Sequence, residues 1–160
     1  MAAVEGGSDS IQDHDDVSRF WFDSPAILID PSSRFPFCYE RGEQVESVFW
    51  RKHIKSLAEL HDRGCKSQKN KNERETTLQK PISTYVGVRT ANVACIRNIK
   101  DEYGHFEVYQ SVENGDPAHA NIKLCNADGT NKKLKSNYVR ALVHKLLECF
   151  VRHESHVCEE

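Results

Sequence analysis

Nothing in these 160 residues stays apolar for long: no apolar run, that at 26–29 included, exceeds four residues. That excludes a membrane-spanning helix and the apolar core of a secretory leader, so no membrane partner is expected. No lysine or arginine precedes Arg19, which argues against a basic organellar presequence. Asn-x-Ser/Thr acceptors are absent, as are Gly-x-Gly-x-x-Gly and Walker-type phosphate loops. So are the Gly-x-Ser-x-Gly elbow and the cysteine-protease signatures. The carboxylate pairs Asp101/Glu102 and Glu73/Glu75 stand in turn or loop composition. Catalysis has no visible seat, the balance leans to a non-enzymatic role, and no cofactor is expected.

What is present supports one lean domain. Leu, Ile, Val and Phe make up 37 of the 160 residues, just above the level at which a highly charged chain would be read as disordered. The net charge of −2 fits neither a globally basic nucleic-acid binder nor a polyanion. Its distribution is uneven. Residues 1–18 hold five acids (Glu5, Asp9, Asp13, Asp15, Asp16) and no lysine or arginine, the composition of a disordered acidic tail. The remainder carries 22 basic and 19 acidic residues. Six cysteines (Cys38, Cys65, Cys95, Cys125, Cys149, Cys158) are spread thinly over 120 residues. With no leader in sight they are expected to be reduced thiols, in cytoplasm or nucleus.

Periodicity predicts an α+β domain over residues 19–153, between the acidic tail and a C-terminal tail at 154–160. Residues 26–30 read as a short strand or an extended segment docked on the core, ended by the turn composition of Asp30-Pro31-Ser32-Ser33. Residues 43–62 read as a helix with Val45, Phe49, Trp50, Ile54, Leu57 and Leu60 in one half of the wheel, His53 near the centre of that arc, and Gly64 as its C-terminal cap. Residues 63–80 carry six basic and two acidic side chains and one large aliphatic, Leu78, and read as a long basic loop. From Pro81 the period becomes two. Residues 82–89, 92–99, 105–112 and 119–126 read as a four-stranded antiparallel meander, with Gly87 marking a bulge or a close backbone approach. Ser136 or Asn137 is expected to cap a final helix carrying Tyr138, Val139, Leu142, Val143, Leu146 and Phe150 on one face. The expected order is β-α-β-β-β-β-α, with helices over one face of the sheet.

Three sets of residues are candidates for function. Trp21, Phe22, Phe35, Phe37 and Trp50 put five large aromatics into the first 50 residues; any left exposed would anchor another protein, which makes a protein-interaction module or adaptor the leading expectation. Lys66, Lys69, Lys71 and Arg74 in the basic loop, with Lys132, Lys133 and Lys135 before the last helix, offer the alternative, RNA or single-stranded DNA. Tyr85, Tyr103, Phe106 and Tyr109 would add stacking surface. Cys149, His153, His156 and Cys158 have the donor types of a zinc site, but natural sites take two separated pairs and these crowd one chain end, so no metal is expected there. His61 and Cys65 repeat the four-residue spacing, with Gly64 expected to break the turn between them.

Overall fold

The computed structural model describes residues 10–79 and 82–159. Among them are seven strands and four helices, in the order β1 (Asp16–Asp23), α1 (Pro25–Ile29), β2 (Tyr39–Glu40), β3 (Glu43–Trp50), α2 (Leu57–Thr77), β4 (Thr84–Asn92), α3 (Val93–Arg97), β5 (Gly104–Gln110), β6 (His119–Asn126), α4 (Ser136–Cys149) and β7 (Arg152–Ser155). All pairings are antiparallel, the strand order is β5-β6-β3-β1-β4-β7, and β2 adds to β3 as a hairpin. The mixed α+β class therefore holds. The four-stranded meander does not: of its members only β5 and β6 are paired neighbours, and helices cover both faces.

Those two faces are set by alternation along β1. Val17 and Trp21 enter the larger core with Val48, Trp50, Phe106 and Ile122, under α3 and α4. Phe20 and Phe22 enter a second cluster with Phe49, Tyr85 and Val88, under Leu57 and Leu60 of α2. The β1–β4 register shifts between Trp21 and Phe22, which face Gly87 and Tyr85. Val86 is the extra residue of this bulge, and it lets Tyr85 and Val88 share a face. Gly87 lies at φ +132°, and a Cβ there would run into the Glu154 carbonyl of β7, so the bulge and the close backbone approach coincide.

The same two-sidedness explains the misread helix at 43–62. Val45 and Phe49 lie on one side of a strand and Val48 and Trp50 on the other, a spacing that mimics a helical stripe. The helix begins at Leu57, where the Ser56 hydroxyl accepts from the Glu59 backbone N–H at 3.1 Å; Ser-x-x-Glu is a capping-box pattern. It then runs straight through the expected basic loop. Its docking is polar and at helical spacing. Gln68 Oε1 accepts from Tyr85 N at 2.6 Å, and Asn72 exchanges two 3.0 Å bonds with the Ser83 backbone. An apolar pattern cannot report such a face. Residues 26–30 form a short helix capped by Ser24, not a strand, and Asn92 caps α3 where a strand was expected.

Both expected tails are tied down where they are described. Residues 1–9 of the acidic tail lie outside the described residues. Ile11, however, is buried in the larger core, and β1 begins at Asp16. Two of the acids there are paired, Asp13 with Arg97 at 2.8 Å and Asp16 with Arg152 at 3.4 Å. At the other end β7 pairs with β4 and His156 N–H donates to Val86 O at 3.1 Å. Four cysteines are not thiols: Cys65 bonds to Cys158 and Cys95 to Cys149, across 93 and 54 residues, leaving Cys38 and Cys125 free. On chain entropy alone, loops of this size make each bridge worth about 4–5 kcal/mol.

Gly64 sits inside α2 for packing and does not cap it. The Tyr85 ring lies where its Cβ would be. Gly64→Ala is expected to lower stability by about 1–3 kcal/mol through overpacking, against the roughly 1 kcal/mol that alanine gains in a helix interior. Urea unfolding of the two proteins measures this, and a raised midpoint would contradict the close contact.

Candidate functional site

The strap of residues 32–39 crosses from β1 towards the β2–β3 hairpin and has its own scaffold. Arg19 donates to Arg34 O at 2.7 Å and to Glu46 Oε1 at 3.0 Å, and its guanidinium lies 4.5 Å from the Phe35 ring centre. Burial lowers the Arg19 pKa from its ordinary value, with Glu46 opposing that shift. Glu46 Oε2 accepts the Phe37 N–H at 2.7 Å, and the buried Gln44 side chain donates to Phe37 O at 3.1 Å. Phe37 is thereby held at φ +46°, a region that bulky residues avoid. The other oxygen end of Gln44 accepts Leu134 N–H at 3.0 Å. One buried amide thus joins the strap to the segment leading into α4.

Between these two walls lies a cleft of about 530 Å³. Phe35, Phe37, Leu134, Val139 and Val143 supply its apolar lining, and Lys133, Arg140, Cys38 and Tyr39 its polar border. Arg140 reaches Asp30, at the end of α1, at 3.6 Å. That helix has no buried residue: Leu28 is 75% and Ile29 86% exposed. Of the five aromatics expected to anchor a partner, only Phe35 and Phe37 border this cleft, each 1% exposed. Trp21 and Trp50 are core residues, and Phe22 packs half-buried beneath α2. None of the five is left exposed as an anchor: four are buried and Phe22 is half-buried. The exposed aliphatics of α1 are visible in the sequence as its apolar run at 26–29.

No family model, curated protein or solved structure matches the chain.

The basic residues fall into two groups on opposite sides of the sheet. Lys66, Lys69, Lys71 and Arg74 ride on α2, over the smaller cluster. Lys132, Lys133 and Lys135 flank Leu134, which belongs to the larger core. They do not converge. On α2, Arg63, Lys66, Lys71 and Arg74 line one shallow groove, while Lys69 lines another with Cys65 and Asn72. The expected stacking platform is absent: Tyr85 and Phe106 are buried, and Tyr103 stacks on Tyr138 with ring centres 3.7 Å apart. His53 stands in a short turn after β3, its ring edge-on to Trp50 at 4.8 Å.

The four expected metal candidates also separate. Cys149 is bonded to Cys95 beside the larger core, and the helix ends there, so His153 does not share a helical face with it. His153 is in β7, exposed, 3.3 Å from Arg89 Nε. His156 and Cys158 instead reach α2. The Cys65 and Cys158 sulfurs and a His156 ring nitrogen lie within 4.8 Å of one another, all three residues half-buried. His61 stacks on His156 at 4.2 Å between ring centres, and its Nδ1 is 2.8 Å from the Tyr85 hydroxyl. Burial, then the neighbouring His156, lowers the His61 pKa from its ordinary value. Burial pushes the Tyr85 phenol up.

Gln44 is the test of how the cleft is built. Gln44→Ala leaves Phe37 O and Leu134 N without their side-chain partner, a loss of about 1–3 kcal/mol per buried group left unpaired. Urea unfolding should show a drop of about 2–6 kcal/mol for the two groups together. Proteolysis under native conditions should show new cleavage in the strap, and an unchanged midpoint would contradict the clamp.

Proposed function

We propose that the chain is a non-enzymatic protein-interaction module, an adaptor or regulatory subunit, whose partner polypeptide enters the cleft between residues 32–39 and 133–143. The observation that carries this reading is the construction of the cleft. It combines an apolar floor, a basic border and a wall whose Phe37 is fixed at φ +46° by bonds to both its backbone groups. A groove held open in this way is pre-organised, which lowers the ordering cost of binding. Leu28 and Ile29, exposed beside it, extend the apolar surface. Lys133 and Arg140, with Lys132 and Lys135 next to them, set the sign of the partner. It is a segment with an aliphatic or aromatic anchor and acidic flanks.

A second reading, single-stranded nucleic acid along α2, is favoured by one observation: Arg63, Lys66, Lys71 and Arg74 share a groove over about 16 Å of helix. Arg63 is already engaged by two carboxylates, Glu59 at 3.1 Å and Asp116 at 2.8 Å, a closer commitment than the 3.6 Å approach of Arg140 to Asp30, which weakens this reading beside the first. No helix among the described residues is long and apolar enough to cross a membrane. Residence in cytoplasm or nucleus was expected from reduced thiols; the two disulfides support an oxidising compartment instead.

Panning a phage library of random peptides on the immobilised protein tests the first reading. Enrichment of acidic sequences with an apolar anchor is expected. Their affinity, followed by fluorescence anisotropy, should fall about 10-fold or more in Arg140→Glu, roughly 1.4 kcal/mol, and hold in Lys69→Glu on the far side of the sheet. Basic peptides, or acidic ones indifferent to Arg140→Glu, would refute it. For the second reading, a single-stranded oligonucleotide should bind with a salt slope that flattens by about 1.4 in Lys66→Ala/Arg74→Ala, at roughly 0.7 per phosphate contact.

A further inference from the structure

The bridge between Cys65 and Cys158 differs from the one between Cys95 and Cys149 in its surroundings. Beside Cys65–Cys158 stands an imidazole nitrogen, that of His156, within 4.8 Å of both sulfurs. A disulfide has no use for such a neighbour. A divalent metal does, because two thiolates and an imidazole are three of the four donors of a tetrahedral zinc site. The donors also come from two separated stretches of chain, Cys65 on α2 and His156 with Cys158 on the segment after β7, as such sites ordinarily require.

We propose that Cys65, His156 and Cys158 form a zinc site that replaces the Cys65–Cys158 disulfide when that bond is reduced. A dithiol transfers two electrons and two protons to the bridge, leaving two cysteine thiols and its own disulfide. Zn²⁺ then displaces both thiol protons to solvent and takes the lone pair of a His156 ring nitrogen as its third protein donor. In the reverse direction an oxidant of the disulfide class accepts two electrons, the S–S bond re-forms and the ion leaves.

Zinc–sulfur bonds of about 2.3 Å and zinc–nitrogen bonds of about 2.0 Å put two sulfurs and a nitrogen roughly 3.5–3.8 Å apart in a tetrahedral site. Once the bond is reduced the two sulfurs move from bonding distance out to that separation, and the imidazole nitrogen is already within 4.8 Å of both. The segment carrying two of the donors is held independently by the β4–β7 pairing and by His156 N–H on Val86 O, so reduction does not by itself release it. His61 stacks on the His156 ring and is itself fixed by a 2.8 Å bond between its Nδ1 and the Tyr85 hydroxyl, so the imidazole donor packs against a held neighbour. In either redox state the end of the chain stays clipped to α2, by a covalent bond in one and by a metal in the other. All three donors are half-buried, which leaves them within reach of a reductant and an ion. Cys149 of the second bridge is 5% exposed, in the larger core.

The full chain, oxidised or reduced with a phosphine, is titrated with Co²⁺ and then Zn²⁺, with near-ultraviolet circular dichroism as the control for folding. The reduced protein is expected to take up one equivalent of Co²⁺ with the intense visible absorption of tetrahedral thiolate coordination, and Zn²⁺ should bleach it. The oxidised protein should take up none. His156→Ala leaves the disulfide intact, so it can be folded oxidised and then reduced. It should weaken binding about 100-fold or more, at or beyond the upper end of what losing an outer-shell partner costs, and Cys158→Ser should do the same. Cys38→Ser/Cys125→Ser should keep full uptake. Absence of stoichiometric uptake by the folded reduced chain would overturn the proposal. So would uptake that survives His156→Ala or Cys158→Ser, or equal uptake by the oxidised protein.

Discussion

Trp21 and Phe20 are neighbours in the chain and enter opposite cores, and the rest of the molecule is arranged around that constraint. A strand with large apolar side chains at both parities cannot face water on either side, since each such side chain is worth about 1.5–3 kcal/mol when buried. Both faces of the sheet must be covered. α3 and α4 cover one, and α2 covers the other. β1 can then lie inside the sheet, between β3 and β4, although it comes first in the chain.

The two covers are made differently. On the larger side the contact is apolar throughout, with Leu142, Leu146 and Phe150 packed beneath Trp21 and Phe35. On the smaller side Leu60 and Gly64 make the only closely packed turn of α2, and beyond it Gln68 and Asn72 bind backbone groups of the β4 entrance. A helix docked by hydrogen bonds gains less from burial than one docked by leucines, since each bond nets only about 0.5–1.5 kcal/mol. The covalent tie from Cys65 to Cys158 falls where that polar half of the helix begins. The stabilising link and the candidate metal donors are therefore the same residues.

The cleft follows from the larger side. Phe35 and Phe37 must reach the core from a strap that opens on a 3-10 turn (Pro31–Arg34) and is irregular over 35–38, and Arg19, Glu46 and Gln44 satisfy its buried polar groups so that they can. Phe37 takes up an unfavourable backbone angle in the process. Beside it the strap is joined to the segment leading into α4 by polar bonds, through Gln44 to Leu134 N–H and from the Tyr39 hydroxyl to Asn131 O, and the cleft lies between the two walls.

Where one local signal governed an element, the sequence was legible. β6 lies where periodicity puts it, the Asn114-Gly115 turn forms, with both φ positive, and Gly87 marks its bulge. The apolar face locates the last helix, but the expected cap is not made: Ser136 is its first residue, and Lys135 stands at the cap position with no side-chain bond. Ser24-Pro25, Ser56-x-x-Glu59 and Asn92 are local capping signals for α1, α2 and α3 that run against the apolar pattern around them. Other features had no local trace. β3 imitated a helix because residues at both parities are apolar, and only the existence of two cores distinguishes the readings. α2 looked like a loop because its docking face is amide and hydroxyl, and a hydrogen bond leaves no periodic mark in hydropathy. Which four of the six cysteines pair, across 93 and 54 positions, and the meeting of His156 and Cys158 with Cys65 depend on distances between residues far apart in the chain. Composition and period determined the α+β class and the elements with one wet face. Which strands adjoin, which thiols bond and which donors converge were decided by tertiary packing, because those are properties of separation in space and local sequence encodes only separation along the chain.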